Sequence, residues 1–237
     1  DRHAQQVLRD AHNRGDLFAA SGMVLGLGNF PILNREGPQM AGLAVDEILR
    51  QWSVDGYHLQ HYWALLARAN IDIFIGKPEM AMERIQKDWN RLRNHLLMLI
   101  PAVRNESRFL RARTELSMAN LEKGERKRDL IRKALEDSRK LARQGLKWTQ
   151  ATSQLVAAGA RMQEGRPEAA LEALRAAIVL LDECGMRLYA SAARIRMGQV
   201  LGGDEGQSLE NEGFSYMKSQ NIRNPPAMLE ILTPGFS

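Results

Sequence analysis

Apolar and small residues recur three and four positions apart along most of this chain, with charged residues between them. After Gly165-Arg166-Pro167, residues Ala170, Leu174 and Ala177 fall on one face of a helix. After Gly76-Lys77-Pro78, Ala81 and Ile85 take the places of Ala170 and Leu174. In both stretches the glycine can adopt the left-handed conformation that ends a helix. The proline then sits in the first turn of the next helix, where its missing N–H costs nothing. Poorer copies occur at Lys123-Gly124-Glu125 and Gly202-Gly203-Asp204-Glu205, with Asp204 as the expected N-cap, and a fifth turn falls at Glu36-Gly37-Pro38. No period-two alternation appears: short apolar runs such as residues 71–75 lie inside helical patterns, and turn pairs of β-hairpin type are absent. The pattern predicts an all-α chain.

The five turn glycines, Gly37, Gly76, Gly124, Gly165 and Gly202, lie 39, 48, 41 and 37 residues apart. A second marker, at Gly56, Gly145 and Gly185, stays in phase with them. Hairpins closed by Gly-x-Pro are of tetratricopeptide type, but this spacing exceeds the ~34-residue tetratricopeptide period and approaches the ~40–47 of other helical repeats. The expected architecture is a TPR-like α-solenoid of about five irregular helical hairpins in one domain, residues 1–237. The hairpins are expected at 1–53, 57–100, 104–143, 146–184 and 186–220, followed by a C-terminal tail.

Composition narrows the class. The chain has 237 residues, 44% hydrophobic and 26% charged, ordinary for a folded domain with a continuous core. No run of about 18 uninterrupted apolar residues exists, so no transmembrane helix is expected. The most apolar segment, residues 95–103, is cut by Pro101 and is expected to pack against a neighbouring hairpin. Cys184 is the only cysteine, which excludes a disulfide framework and points to a reducing, cytoplasmic setting. A start in mid-pattern without initiator methionine or signal peptide is read as a fragment of a longer protein. The net charge of +5 is uneven: residues 101–150 carry 14 Lys/Arg against 7 Asp/Glu. That excess admits a nucleic-acid surface, with Arg126, Lys127 and Arg128 at its centre. It is disfavoured because Glu122, Glu125, Asp129, Glu136 and Asp137 interleave at intrahelical pairing distance and no aromatic residues do.

Three motifs imitate chemistry. Gly202-Gly203-Asp204-Glu205 matches a cyclase signature loop, but joins two helical runs where that chemistry needs a β-hairpin. The glycine-rich run from Gly22 to Gly28 lacks the Lys-Ser/Thr of a phosphate loop, and reads as close helix approach. His58 and His61 lack the further ligands of a metal site, and read as helix-start contacts or partner recognition. No catalytic, cofactor or metal residues are assigned.

Several phrases together resemble the C-terminal helical-repeat region of large bacterial Ser/Thr protein kinases that also carry a predicted ATPase module. They are Gln51-Trp52, Gly56-Tyr57-His58-Leu59-Gln60-His61-Tyr62-Trp63, Ala67-Arg68-Ala69-Asn70, Gly185-Met186-Arg187-Leu188-Tyr189, Gln220-Asn221-Ile222-Arg223-Asn224-Pro225 and the ending Thr233-Pro234-Gly235-Phe236. The resemblance implies a non-catalytic interaction and regulatory tail, working with kinase and ATPase domains upstream. The chain itself has no kinase loop motifs. Partner-binding residues are expected on first-helix positions facing a concave groove: His61, Trp63, Asn70, Phe74, Arg111, Met118, Tyr189 and Arg196. Asn70, Arg111 and Arg196 suit an acidic protein or peptide. A nucleic-acid- or small-effector-binding repeat is the alternative.

Overall fold

The computed structural model describes residues 10–236, apart from 12 and 54. The chain is all-helical, with twelve α-helices and no strand among the described residues. It divides into two compact units, Asp1–Arg104 and Asn105–Ser237.

The repeated turn chemistry explains most helix boundaries. In the first unit, α4 (Leu59–Phe74) hands over to α5 (Pro78–Asn94) at Gly76, whose φ is 72°. The Lys77 N–H bonds to the Asp72 carbonyl at 2.8 Å and the Gly76 N–H to that of Ile73 at 3.0 Å. This paired closure satisfies two carbonyls that the helix end would otherwise leave without partners. The same pair of bonds recurs in the second unit at Gly165 (to Arg161 and Met162) and at Gly185 (to Leu181 and Asp182). Asn221, at φ 57°, does the same work without being glycine, through Ile222 to Met217 and its own N–H to Lys218. Asparagine tolerates that conformation better than other side chains.

The first unit opens less regularly than one hairpin over residues 1–53. Three short helices, α1 (Leu17–Val24), α2 (Phe30–Glu36) and α3 (Pro38–Arg50), occupy this stretch. Asp16 caps α1 by accepting from the Ala19 N–H at 2.9 Å. Gly26 turns the chain at φ 57° into a 3₁₀ turn, Gly26–Asn29. A Cβ on Gly28 would meet the Gly22 carbonyl at 2.6 Å. Gly28 thus closes a tight local turn, while Gly22 and Gly26 face Trp63 of α4, where an added Cβ would lie 3.9 and 3.5 Å from its ring. The Asn29 amide holds the turn by donating to the Val24 and Ala41 carbonyls. Val24, Leu25, Val45, Ile48 and Ala64 form the core beneath it.

The segment 95–103 also departs from expectation. Tyr57, Tyr62, Leu92 and Val103 bury together with Leu97 and Met98, but Leu96 and Leu99 remain 65% and 69% exposed. Leu96 ends the α5 turn with a positive φ of 59°, which turns its side chain away from that cluster.

The second unit pairs α6 (Pro101–Leu121, from Asn105 onward) with α7 (Gly124–Ala142), α8 (Lys147–Gln163) with α9 (Pro167–Glu183), and α10 (Arg187–Leu201) with α11 (Gly203–Ser219). Its core runs through Leu116, Ala134, Leu155, Leu174 and Ala193. The cyclase-like phrase belongs to the α10–α11 crossing. A Cβ on Gly206 would strike the backbone of Gly198, and one on Gly213 would lie 2.7 Å from the Ser191 carbonyl. Gly202, not Asp204, is the N-cap of α11, and no side chain caps it. Asp204 and Glu205 sit in the first turn, where carboxylates favour the positive end of the helix dipole.

The chain closes with α12 (Pro225–Leu232), started by the Asn224 side chain accepting from the Ala227 N–H at 3.2 Å. Met228, Leu229, Ile231, Leu232 and Thr233 are all buried. A helix with apolar groups on most sides needs cover on most sides.

A close backbone crossing holds the end of this tail: a Cβ on Gly159 would strike the Pro234 carbonyl. Gly159→Ala is therefore expected to destabilise the chain by about 1–3 kcal/mol and to speed proteolysis after residue 232. Gly165→Ala, strained at φ 72° but facing open space, should cost about 1 kcal/mol and leave that cleavage unchanged. Urea denaturation with limited proteolysis distinguishes the two.

Candidate functional site

The sequence pattern leads a partner to be expected on the first helices of the pairs, which in the second unit are α6, α8 and α10. Here they receive the chain's own C-terminus. Arg113 of α6, itself buried, donates to the Ile231 carbonyl and lies over the Phe109 ring, 4.6 Å from its centre. Gly159 of α8 passes backbone to backbone against Pro234 and Gly235. Arg196 of α10 donates to the Thr233 carbonyl at 3.3 Å and pairs with Glu230 at 2.6 Å. Its guanidinium also stacks 5.4 Å from the centre of Phe236. Burying Met228, Leu229, Ile231 and Leu232 is worth on the order of 6–12 kcal/mol before ordering costs.

The α6–α7 contact is equally committed. Arg111 grips Asp137, which is 0% exposed, through Nε at 2.7 Å and Nη2 at 2.8 Å. Glu115, one turn along α6, lies 3.9 Å from the same guanidinium, and its Oε2 has no hydrogen-bond partner. Burial, reinforced by the charge of Asp137, raises the Glu115 pKa to about 8 against the pull of Arg111. A protonated Glu115 avoids two carboxylates competing for one cation.

The cations of α7 are mostly matched. Arg126 pairs with Glu122 at 2.9 Å, Lys133 with Asp129 at 2.7 Å, and Arg132 with both Asp129 and Glu136. Such exposed pairs each contribute about 0–1 kcal/mol, and together they make a solvated face.

An open basic site lies instead in the first unit, between α4 and α5. Each helix contributes side chains spaced by one turn: His61, Leu65 and Arg68 from α4, and Arg84, Lys87 and Arg91 from α5. Between them is a cavity of ≈ 200 Å³, with Tyr57 and Asp88 also in its wall. Arg84 is fixed, because its Nε holds Asp72 at 2.6 Å and the Asp72 side chain is only 5% exposed. Burial raises the Asp72 pKa, with Arg84 opposing. Removing Arg84 would leave that carboxylate stranded, at a cost of about 3–5 kcal/mol. Arg68 pairs with Asp46 at the surface, and Arg91 is 3.8 Å from Asp88 while lying over the Tyr57 ring. Lys87 has no ion-pair partner among the described residues.

Hydrogen bonding orients the polar wall. His61 Nδ1 accepts the His58 N–H at 2.9 Å, and the two rings stack at 5.5 Å. His58 reaches back from Nε2 to the Asp55 carbonyl at 2.8 Å. Burial, then His58 and Arg91, lowers the His61 pKa, so at neutral pH its ring is uncharged with the proton on Nε2. The Tyr57 hydroxyl donates to Asp88 at 3.4 Å, and burial and that carboxylate raise its pKa so that it stays a donor. Among the described residues no group of three or more His, Cys, Asp or Glu is arranged to hold a metal ion.

Of the eight expected partner residues, four lie in each unit. His61 lines the α4–α5 cavity; Trp63 packs on Phe18 at 5.8 Å, Asn70 is buried, and Phe74 is half-buried at the end of α4. In the second unit Met118 is buried, Tyr189 packs on Phe109 at 6.0 Å, and Arg111 and Arg196 hold Asp137 and the tail. Of the cavity residues that had not been singled out, Arg84, Lys87 and Arg91 carry a readable signal, one-turn spacing along one helix, and Arg68 stands alone on the helix before.

In comparison with known proteins, no family model, curated protein or solved structure matches the chain. No single described helix is long and apolar enough to cross a membrane.

Glu115 makes stability depend on pH. Folded protein keeps its proton up to about pH 8, whereas the unfolded chain releases it above 4.5. Between those values the folded state binds more protons, so stability falls as pH rises, by at most ~1.4 kcal/mol per unit from this group. Glu115→Gln should remove that slope, seen as urea midpoints of wild type and variant that diverge across this window and run parallel above it.

Proposed function

We propose that this chain is a non-catalytic protein-recognition and regulatory domain, a TPR-like helical-repeat segment that binds an acidic partner in the α4–α5 cleft. One observation carries the reading: this cleft presents Lys87 without an ion-pair partner, Arg91 loosely held by Asp88, and Arg68 paired only with the exposed Asp46, whereas Arg111, Arg113 and Arg196 are consumed by the fold. Binding that recruits a loosely paired surface cation sacrifices about 0–1 kcal/mol, but taking a buried one strands its counter-ion. The repeated Gly-x-Pro closures support the helical-repeat part of the proposal, and the resemblance to bacterial Ser/Thr kinase tails supports the regulatory part. In that setting the bound partner would report to catalytic domains elsewhere in the protein.

Fluorescence anisotropy with a glutamate-rich peptide tests the reading. Lys87→Glu with Arg91→Glu should weaken binding about tenfold or more, and Arg126→Glu with Arg128→Glu should leave it nearly unchanged. The opposite ranking, or preferential capture of DNA through the α7 residues, would replace the proposal with a nucleic-acid-binding one.

A further inference from the structure

We infer that the α4–α5 cavity is a receptor for a single phosphate monoester group. This deepens the acidic-partner reading and rests on it. The cleft's cavity of ≈ 200 Å³ has room for a compact anionic group such as a phosphate carried on a larger partner. Its wall is rich in donors: Lys87, the remaining N–H groups of Arg84, the guanidinia of Arg68 and Arg91, and the Nε2–H of His61. Asp88 is the one carboxylate in the wall, and the Tyr57 hydroxyl donates to its Oδ2.

The chemistry of the cations distinguishes phosphate from carboxylate. A carboxylate offers two oxygens in a plane, which one arginine can satisfy from one side. A phosphate monoester carries close to two negative charges and three acceptor oxygens. Three basic groups a turn apart on α5, facing Arg68 and His61 of α4, can approach such a group from both sides. Arg84 is already oriented by its bond to the buried Asp72, so its ordering cost is met in the free protein. Lys87 is unengaged, Arg91 is only loosely held, and Arg68 leaves an exposed aspartate that water can solvate. One fixed donor and three recruitable cations surround a site for a dianion.

The source of the phosphate, a phosphorylated residue of an acidic segment or a small phosphorylated molecule, is separated by experiment. Inorganic phosphate titrated into the 237-residue chain, followed by amide chemical shifts, should give saturable shifts in α4 and α5, and acetate or chloride at equal ionic strength should not. Lys87→Gln with Arg91→Gln should weaken phosphate binding about tenfold to a hundredfold with little change in melting temperature. Arg126→Gln should have no effect. A phosphoserine peptide that binds more tightly than phosphate and free phosphoserine assigns the source to a protein, and equal affinities assign it to a small molecule. Shifts that are unsaturable, or the same in the cleft variant, overturn the inference. Glutamate-rich peptide binding that survives with no phosphate response overturns this inference alone; loss of both overturns the parent reading as well.

Discussion

The packing of the C-terminal segment against α6, α8 and α10 is the constraint on which the second unit depends. Three contacts of different kind hold it: the Arg113 and Arg196 hydrogen bonds to tail carbonyls, the backbone crossing at Gly159, and the burial of four large apolar side chains. Each makes the others effective. The two arginines satisfy carbonyls at the end of α12, which burial would otherwise leave without partners. The absent Cβ of Gly159 lets the chain come close enough for both to reach. The face of α6, α8 and α10 on which a partner was expected is thereby part of the core.

A division of charged residues follows. Arg111, Arg113 and Arg196 are tied to Asp137, Ile231, Thr233 and Glu230, and using them for a ligand would open the fold. Four α7 cations, Arg126, Arg132, Lys133 and Lys140, pair with acids on or just before their own helix. In the α4–α5 cleft only Arg84 is anchored by a buried acid, and its neighbours are held weakly enough to turn toward a ligand. The total charge of a segment is therefore a poor guide to how many of its cations lack a counter-ion. Residues 101–150 hold the largest basic excess, and most of their pairing is internal.

Much of the helical layout was legible in the sequence because it rests on local chemistry. Gly76-Lys77-Pro78 and Gly165-Arg166-Pro167 encode a left-handed closure and a helix start within three residues. The equivalent closure at Asn221 was hidden, since asparagine at that position has many other uses. Asp204 was misread as a cap because Gly202 and Gly203 place the helix start earlier than an acidic residue suggests. Tyr189 and Arg196 drew attention for the right reason, their first-helix position, but their partners lie far away in the chain. Arg113 meets Ile231 across 118 positions, and no local pattern signals that pairing. The cleft is the intermediate case: the basic row Arg84, Lys87 and Arg91 is local and periodic, but the partial freedom of the cleft cations depends on where Asp46, Asp72 and Asp88 fall in space.

Hydrogen exchange of the backbone amides in residues 225–236 tests most directly whether the tail is built into the core. With the Thr233 N–H bonded to the Leu229 carbonyl at 2.8 Å and its side chain fully buried, its exchange should be as slow as that of the core amides of α8. Exchange at the rate of an unstructured peptide would contradict this, and would return the face of α6, α8 and α10 to the surfaces open to a partner.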